Sequence, residues 1–195
     1  MSPTPHSPLS LAALALVCVM ACGAAWAEKS DRSKPLVVES DGKKAATVDL
    51  TRRTTSVVGH VVVTQGTMVI RADSVDVRED KPGVFSAVAL GSAAEPATFR
   101  QKRDRADEVL EGQALRIEVD GPTERIRLIG EARLRVLRAG QPADEATAPL
   151  IVYDQPRDTL SFEGGTAPAG AASAPGRPKL VFVPRNADAA SAAGR

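Results

Sequence analysis

Arg125-Ile126-Arg127-Leu128-Ile129-Gly130-Glu131-Ala132-Arg133-Leu134-Arg135-Val136 decides the fold class. Aliphatic and charged residues alternate on either side of a glycine, the period-two pattern of strands with one buried and one wet face. Val57-Val58-Gly59-His60-Val61-Val62-Val63 is a second β-branched run broken only by a glycine. Such a glycine marks a bend or bulge where a strand turns a corner. Ile117 and Val119 alternate with Glu118 and Asp120 in the same way. No sustained helical spacing occurs between residues 30 and 165. With no crossover helices in view, the expected class is all-β with antiparallel pairing.

A weak repeat of the form A-x-x-[VI]-x-[VY] recurs at Ala72, Ala114 and Ala148. Straight strands alternating with kinks suggest a sheet folded over on itself, coiled like a jelly roll or a short solenoid. Glu79-Asp80-Lys81-Pro82-Gly83 reads as a charged turn, and Gly121-Pro122 and Gly140-Gln141-Pro142 as hairpin punctuation. The main β domain is expected over 28–163, an Ala/Gly/Pro-rich linker over 164–178, a last strand over 179–185 and a disordered tail over 186–195.

Among 195 residues, 25 Lys and Arg face 24 Asp and Glu, a net charge of +1 that gives no global reason to expect nucleic-acid binding. The first 27 residues carry no charged side chain and end in Ala25-Trp26-Ala27, an apolar core leading to a small-residue cleavage site after Ala27. An alternative within that segment is acylation at Cys22 in Val19-Met20-Ala21-Cys22; simple secretion to the periplasm is preferred. Cleavage removes both cysteines and His6, leaving His60 as the sole histidine and no thiol for metal or nucleophile. No catalytic residue, cofactor or metal is therefore expected, and no Gly-rich phosphate loop is present.

Asp73 with Asp76, and Asp104 with Asp107, are acidic pairs in mixed-charge segments, better explained as solvated faces than as hydrolytic pairs. His60 reads as a surface or edge residue, and Arg103 to Glu108 as a balanced charged loop. Arg125, Arg127, Arg133 and Arg135 would line the outer face of two neighbouring strands, either for solubility or to meet phosphates or acidic partners at a groove rim. The aliphatic faces allow an ordinary sandwich core or an open trough that a lipid can occupy. With aromatics at 3% of the chain, Phe85, Phe99, Tyr153, Phe162 and Phe182 supply most of the rings.

Four segments, in order, resemble the OstA-like family of periplasmic lipopolysaccharide-transport proteins. Pro35-Leu36-Val37-Val38-Glu39-Ser40-Asp41 is similar to the family's opening strand, and Val58-Gly59-His60-Val61 through Thr67, with Ala72-Asp73, to its G-N-V…Q-G-T…A-D core. Pro96-Ala97-Thr98-Phe99-Arg100-Gln101 with Glu111-Gly112-Gln113-Ala114 resembles P-A-T-F-x-Q followed by E-G-x-A, and Leu128-Ile129-Gly130-Glu131-Ala132-Arg133-Leu134 resembles L-x-G-N-A-x-L. His60 and Glu131 stand where the family commonly has Asn.

The resemblance implies a V-shaped, jelly-roll-like antiparallel sheet whose apolar groove receives the lipid A acyl chains of lipopolysaccharide. The inward set it implies is Leu36, Val38, Val57, Val61, Val63, Met68, Ile70, Phe99, Ile117, Val119, Ile126, Leu128, Leu134, Val136, Ile151 and Tyr153, with Val37 and Val62 facing out. It also implies head-to-tail self-association through the strand near Leu36 and one late in the chain, and partners in the inner-membrane and outer-membrane transport components. The competing expectations are a β-scaffold that binds only protein, a polysaccharide-acting enzyme using Asp73 and Asp76, and a membrane-anchored or barrel-linked relative of the carrier.

Overall fold

Residues 31, 33–103, 107–164 and 178–182 are described by a computed structural model, and every element among them is a strand. The export segment, the cleavage site, Cys22, the interior of the Ala/Gly/Pro-rich insertion and the tail lie outside these residues. The strands are β1 Leu36–Glu39, β2 Thr47–Asp49, β3 Thr54–Gln65, β4 Met68–Lys81, β5 Val84–Leu90, β6 Ala97–Lys102, β7 Glu108–Ala114, β8 Arg116–Asp120, β9 Arg125–Arg138, β10 Gln141–Asp154, β11 Thr159–Glu163 and β12 Lys179–Phe182. All of the pairings are antiparallel.

Four long strands, β3, β4, β9 and β10, run through both halves of a folded sheet, while shorter strands serve one half each. In the first half the order is β2, β3, β4, β5, β8, β9, β10, β11; in the second it is β1, β3, β4, β6, β7, β9, β10, β12. The result is the jelly-roll-like folded sheet expected from the alternation.

The fold line is written in the two glycine corners. Gly59 and His60 have φ of 103° and 43°, and Gly130 and Glu131 have 80° and 50°. At each corner two residues face one on the neighbouring strand, Asp73 opposite the first and Pro149 opposite the second. These are β-bulges, which bend the strand and increase its twist. A side chain at the second position must accept the left-handed region, which Asn tolerates best among non-glycine residues; His60 and Glu131 hold it here. The alanine of the repeat marks the same line, since Ala72 pairs with Val61 and Ala148 with Ala132 across the bulges. Ala97 pairs with Ala114 between them. Ala97, Ala114, Ala132 and Ala148 are buried along this line, with Val61 beside them.

Several local expectations shift. Arg125 to Val136 is not two neighbouring strands but one strand, β9, bent at Gly130. β4 continues through Glu79, Asp80 and Lys81, leaving Pro82-Gly83 as the turn. The β9–β10 hairpin turns at Ala139-Gly140, with φ of 48° and 77°, rather than at Gly140-Pro142. Two adjacent positive φ values suit the right-handed twist of a two-residue hairpin.

Candidate functional site

Cross-strand register lines up an apolar, mostly aliphatic row on the inner face of each half. Val57, Val75, Ala89, Ile117, Leu128, Ile151 and Phe162 form one row in the first half. Val38, Val63, Ile70, Phe99, Gly112, Leu134 and Ala146 form the corresponding row in the second. The rows interlock at one point, because a Cβ on Gly112 would lie 2.4 Å from Leu128 Cδ2. Glycine there lets the leucine of one half reach the backbone of the other.

Of the sixteen residues expected inward, Val57, Val61, Val63, Met68, Ile70, Phe99, Ile117, Ile126, Leu128, Leu134, Val136, Ile151 and Tyr153 are buried. Leu36, Val38 and Val119 are half-buried and pack against that cluster. Val37 is 46% exposed. Val62, by alternation with buried Val61 and Val63, lies on the outer face, where Arg71 is its pairing partner. Val75, Val77, Ala87, Ala89 and Leu110 join the interior; the alternation in Ser74-Val75-Asp76-Val77-Arg78 already carried the signal for two of them. Full burial of a Val, Leu or Ile side chain stabilises by about 1.5–3 kcal/mol, and of an alanine by less.

Opposite the fold line, the strand ends form a mouth. A cavity of about 170 Å³ opens there between the halves, with Met68, Phe85 and Val119 among its lining and Gln65, Gln101, Asp120, Glu124 and Gln155 at its polar rim. It is smaller than the roughly 300 Å³ of a small-molecule pocket, so it is a port to the apolar interior rather than a finished pocket.

Beside the port, polar contacts join the halves. Gln155 Nε2 donates to Gln101 Oε1 at 2.8 Å. Arg103 donates from Nε to Asp158 Oδ1 at 3.0 Å and from Nη2 to Asp158 Oδ2, and its Nη1 donates to Glu108. Burial opposes the charge on Arg103, but the hydrogen bond and field of Asp158, with Glu108, hold its pKa above the ordinary value. Tyr153 Oη, at the end of an inward row, donates to Asp158 Oδ1 at 3.2 Å. Arg103 and Glu108 are thus nearly buried partners, not members of a solvated loop. The missed signal was phase: Gln101 and Glu108 occupy inward positions of β6 and β7, and both are buried.

The alternating arginines meet carboxylates on neighbouring strands. Arg125 lies 3.1 Å from Asp154, Arg127 3.1 Å from Glu118, and Arg133 and Arg135 share Glu145 at 3.4 and 3.6 Å. Exposed pairs of this kind contribute only about 0–1 kcal/mol each. His60 is exposed and places Nδ1 3.0 Å from Asp41 at the first corner. Asp76 accepts from Ser56 across the sheet, and Asp104 lies outside the described residues. Among the described residues no group of three or more His, Cys, Asp or Glu side chains is placed to hold a metal ion.

Residues 38–159 match the family described as LptA/(LptD N-terminal domain) LPS transport protein. The chain is 29% identical over 149 residues to the lipopolysaccharide export system protein LptA of Haemophilus influenzae, covering 75% of this chain and 80% of the relative. It is 29% identical to LptH of Pseudomonas aeruginosa over 168 residues, covering 86% and 89%. LptA of Escherichia coli K12 is 29% identical over 140 residues, 72% of each chain. The crystal structure of Pseudomonas aeruginosa LptH, described as the LptA-homologous periplasmic component of a lipopolysaccharide transport device, superposes with a TM-score of 0.65 at 27% identity, covering 80% of this chain and 99% of that one.

Proposed function

Because the chain belongs to the LptA/LptD N-terminal domain family of lipopolysaccharide transport proteins, we propose that it is a periplasmic, non-enzymatic carrier in lipopolysaccharide export. Residues 1–27 act as an export signal cleaved after Ala27. The two inner faces shield lipid A acyl chains, and copies stacked head to tail bridge inner-membrane and outer-membrane transport components.

The observation that carries this reading is the pair of facing aliphatic rows with a port between the halves. Exposure of an acyl chain costs about 0.8 kcal/mol per methylene, on the order of 10 kcal/mol for a chain of ordinary length. A lining of Val, Ile, Leu and Ala removes that cost without directional contacts, so a chain can slide. Movement in one direction draws its energy from a partner.

The sheet ends support the stacking. Among the described residues, β1 and β2 pair only with β3, and β11 and β12 only with β10. These ends expose Val37, Val48 and Leu50 on one side and Leu180, Val181 and Phe182 on the other. An apolar edge with unpaired backbone groups accepts another strand.

The test is photo-crosslinking in cells with a probe at Val63, on the inner face, and at Val62, on the outer. Lipopolysaccharide adducts at Val63 and none at Val62 are expected. Equal labelling, or none from a folded and exported protein, overturns the carrier reading. The tight packing around Val61, Ile117 and Ile126, all at 0% exposure, favours a second reading, a dry β-scaffold that binds protein alone. That second reading requires filaments to form with no lipid adduct at either position.

A further inference from the structure

The mouth holds a guanidinium whose arrangement differs from that of the others. Arg125 pairs with Asp154 within the first half of the sheet, and Arg138 pairs with Glu108 and Asp144 within the second. Among the described residues, Arg103 is the arginine whose carboxylate partners come from both halves, Glu108 at the start of β7 and Asp158 in the turn before β11.

Its two partners are not equally fixed. Glu108 lies in a strand, is 9% exposed at its side chain and also accepts from Arg138 Nε at 3.0 Å. Asp158 lies in a turn at a φ of 51°, and its side chain is 33% exposed. Asp158 presents two oxygens to Nε and Nη2 of one guanidinium, the forked geometry that a phosphate reproduces with an added charge. The port begins one turn of backbone away, at Gln101 and Gln155.

We propose that Arg103 is a phosphate-binding residue at the mouth, exchanging Asp158 for a phosphate on the headgroup of an acylated amphiphile as its chains enter the interior. The proposal rests on the carrier reading and adds a headgroup site to it. The exchange is one of hydrogen-bond partners: Arg103 keeps Glu108, the phosphate takes the fork, and Asp158 turns to solvent, giving up the Tyr153 hydroxyl to the incoming phosphate as well. It has a structural consequence, because the Arg103–Asp158 pair is a tie between the halves. Headgroup binding and loosening of the mouth are therefore one event.

Two probes test this with the full mature protein: a bisphosphorylated lipid A and the same lipid with both phosphates removed. The wild type is expected to bind the phosphorylated probe about tenfold tighter. Arg103→Gln should remove that preference while still binding the dephosphorylated probe, and Arg103→Lys should retain part of it. Asp158→Asn, which keeps Arg103 and removes its competitor, should tighten binding of the phosphorylated probe more than that of the dephosphorylated one, whose entry gains only from the loosened mouth. An unchanged preference in Arg103→Gln, or equal weakening of both probes by Asp158→Asn, overturns the site while leaving the carrier reading standing. Millimolar inorganic phosphate that competes as well as the lipid reduces it to a free-anion site and overturns the headgroup assignment. Failure of the wild type to bind either probe overturns the carrier reading, and the site with it.

Discussion

At the fold line, β3 and β9 turn through Gly59-His60 and Gly130-Glu131, all four at positive φ, over alanines whose exposure is between 0% and 6% at Ala97, Ala114, Ala132 and Ala148. At the mouth, toward the opposite strand ends, the halves meet through Arg103, Asp158, Gln101 and Gln155. The corner is set by backbone conformation and lies over small buried side chains. The mouth is held by hydrogen bonds whose polar partners a ligand of matching chemistry can replace. A folded sheet that must admit a guest benefits from this division, with a rigid crease on one side and exchangeable contacts on the other.

The interlock between the two regions gives the largest expected effect. Leu128, at 0% exposure, spans from one half to Gly112 on the other, and Leu128→Ala should cost about 2–5 kcal/mol by urea denaturation. Gly112→Ala places a Cβ against Leu128 Cδ2 and should cost about 1–3 kcal/mol as overpacking. In the Leu128→Ala background that second cost should shrink, and a double-mutant cycle showing strict additivity would deny the interlock.

The crease is next. Gly130→Ala puts a methyl group at a φ of 80° and within 3.1–3.3 Å of the Leu115 side chain, so a loss of about 1–2 kcal/mol is expected. Gly140→Ala, at a φ of 77° with nothing within 4 Å of the added methyl, isolates the backbone share of that cost. Equal losses at both positions would show that packing at the corner adds nothing.

The smallest effect is on acid stability at the mouth. Burial works to raise the pKa of Asp154, yet hydrogen bonds from Arg125 and Arg157 hold it below the usual carboxylate range. A carboxylate with a depressed folded pKa contributes stability above its unfolded pKa and loses it as pH falls through the folded value. Denaturation midpoints should therefore drop on acidification below about pH 4, and Asp154→Asn should flatten part of that decline. Asp41, held low by the Lys43 backbone N–H and by His60 beside the first corner, gives the comparison. If Asp41→Asn flattens the same limb more than Asp154→Asn, the crease and not the mouth is the acid-sensitive region.

Much of the crease was legible in the linear sequence. Period-two alternation named the strands and the two glycine pairs named the corners, while the place of the repeated alanines along the same line came from the register. The inner faces were legible for the same reason, since alternation assigns a side to every residue of a strand once one is known. Arg103 and Glu108 were not, because a charged residue near a loop looks the same whether water or a carboxylate surrounds it. Gln101 and Glu108 at inward phases of β6 and β7 were the hint.

The sequence by itself determined an antiparallel all-β chain, its bends, and which side of each strand is apolar, because these follow from local periodicity and from the φ that glycine permits. Only the tertiary structure decided that β9 is one bent strand, that Leu128 reaches Gly112, and that Arg103 ties β7 to the turn before β11. Those facts depend on distances between segments far apart in the chain, and no alternation pattern encodes which two ends of a folded sheet come to lie opposite one another.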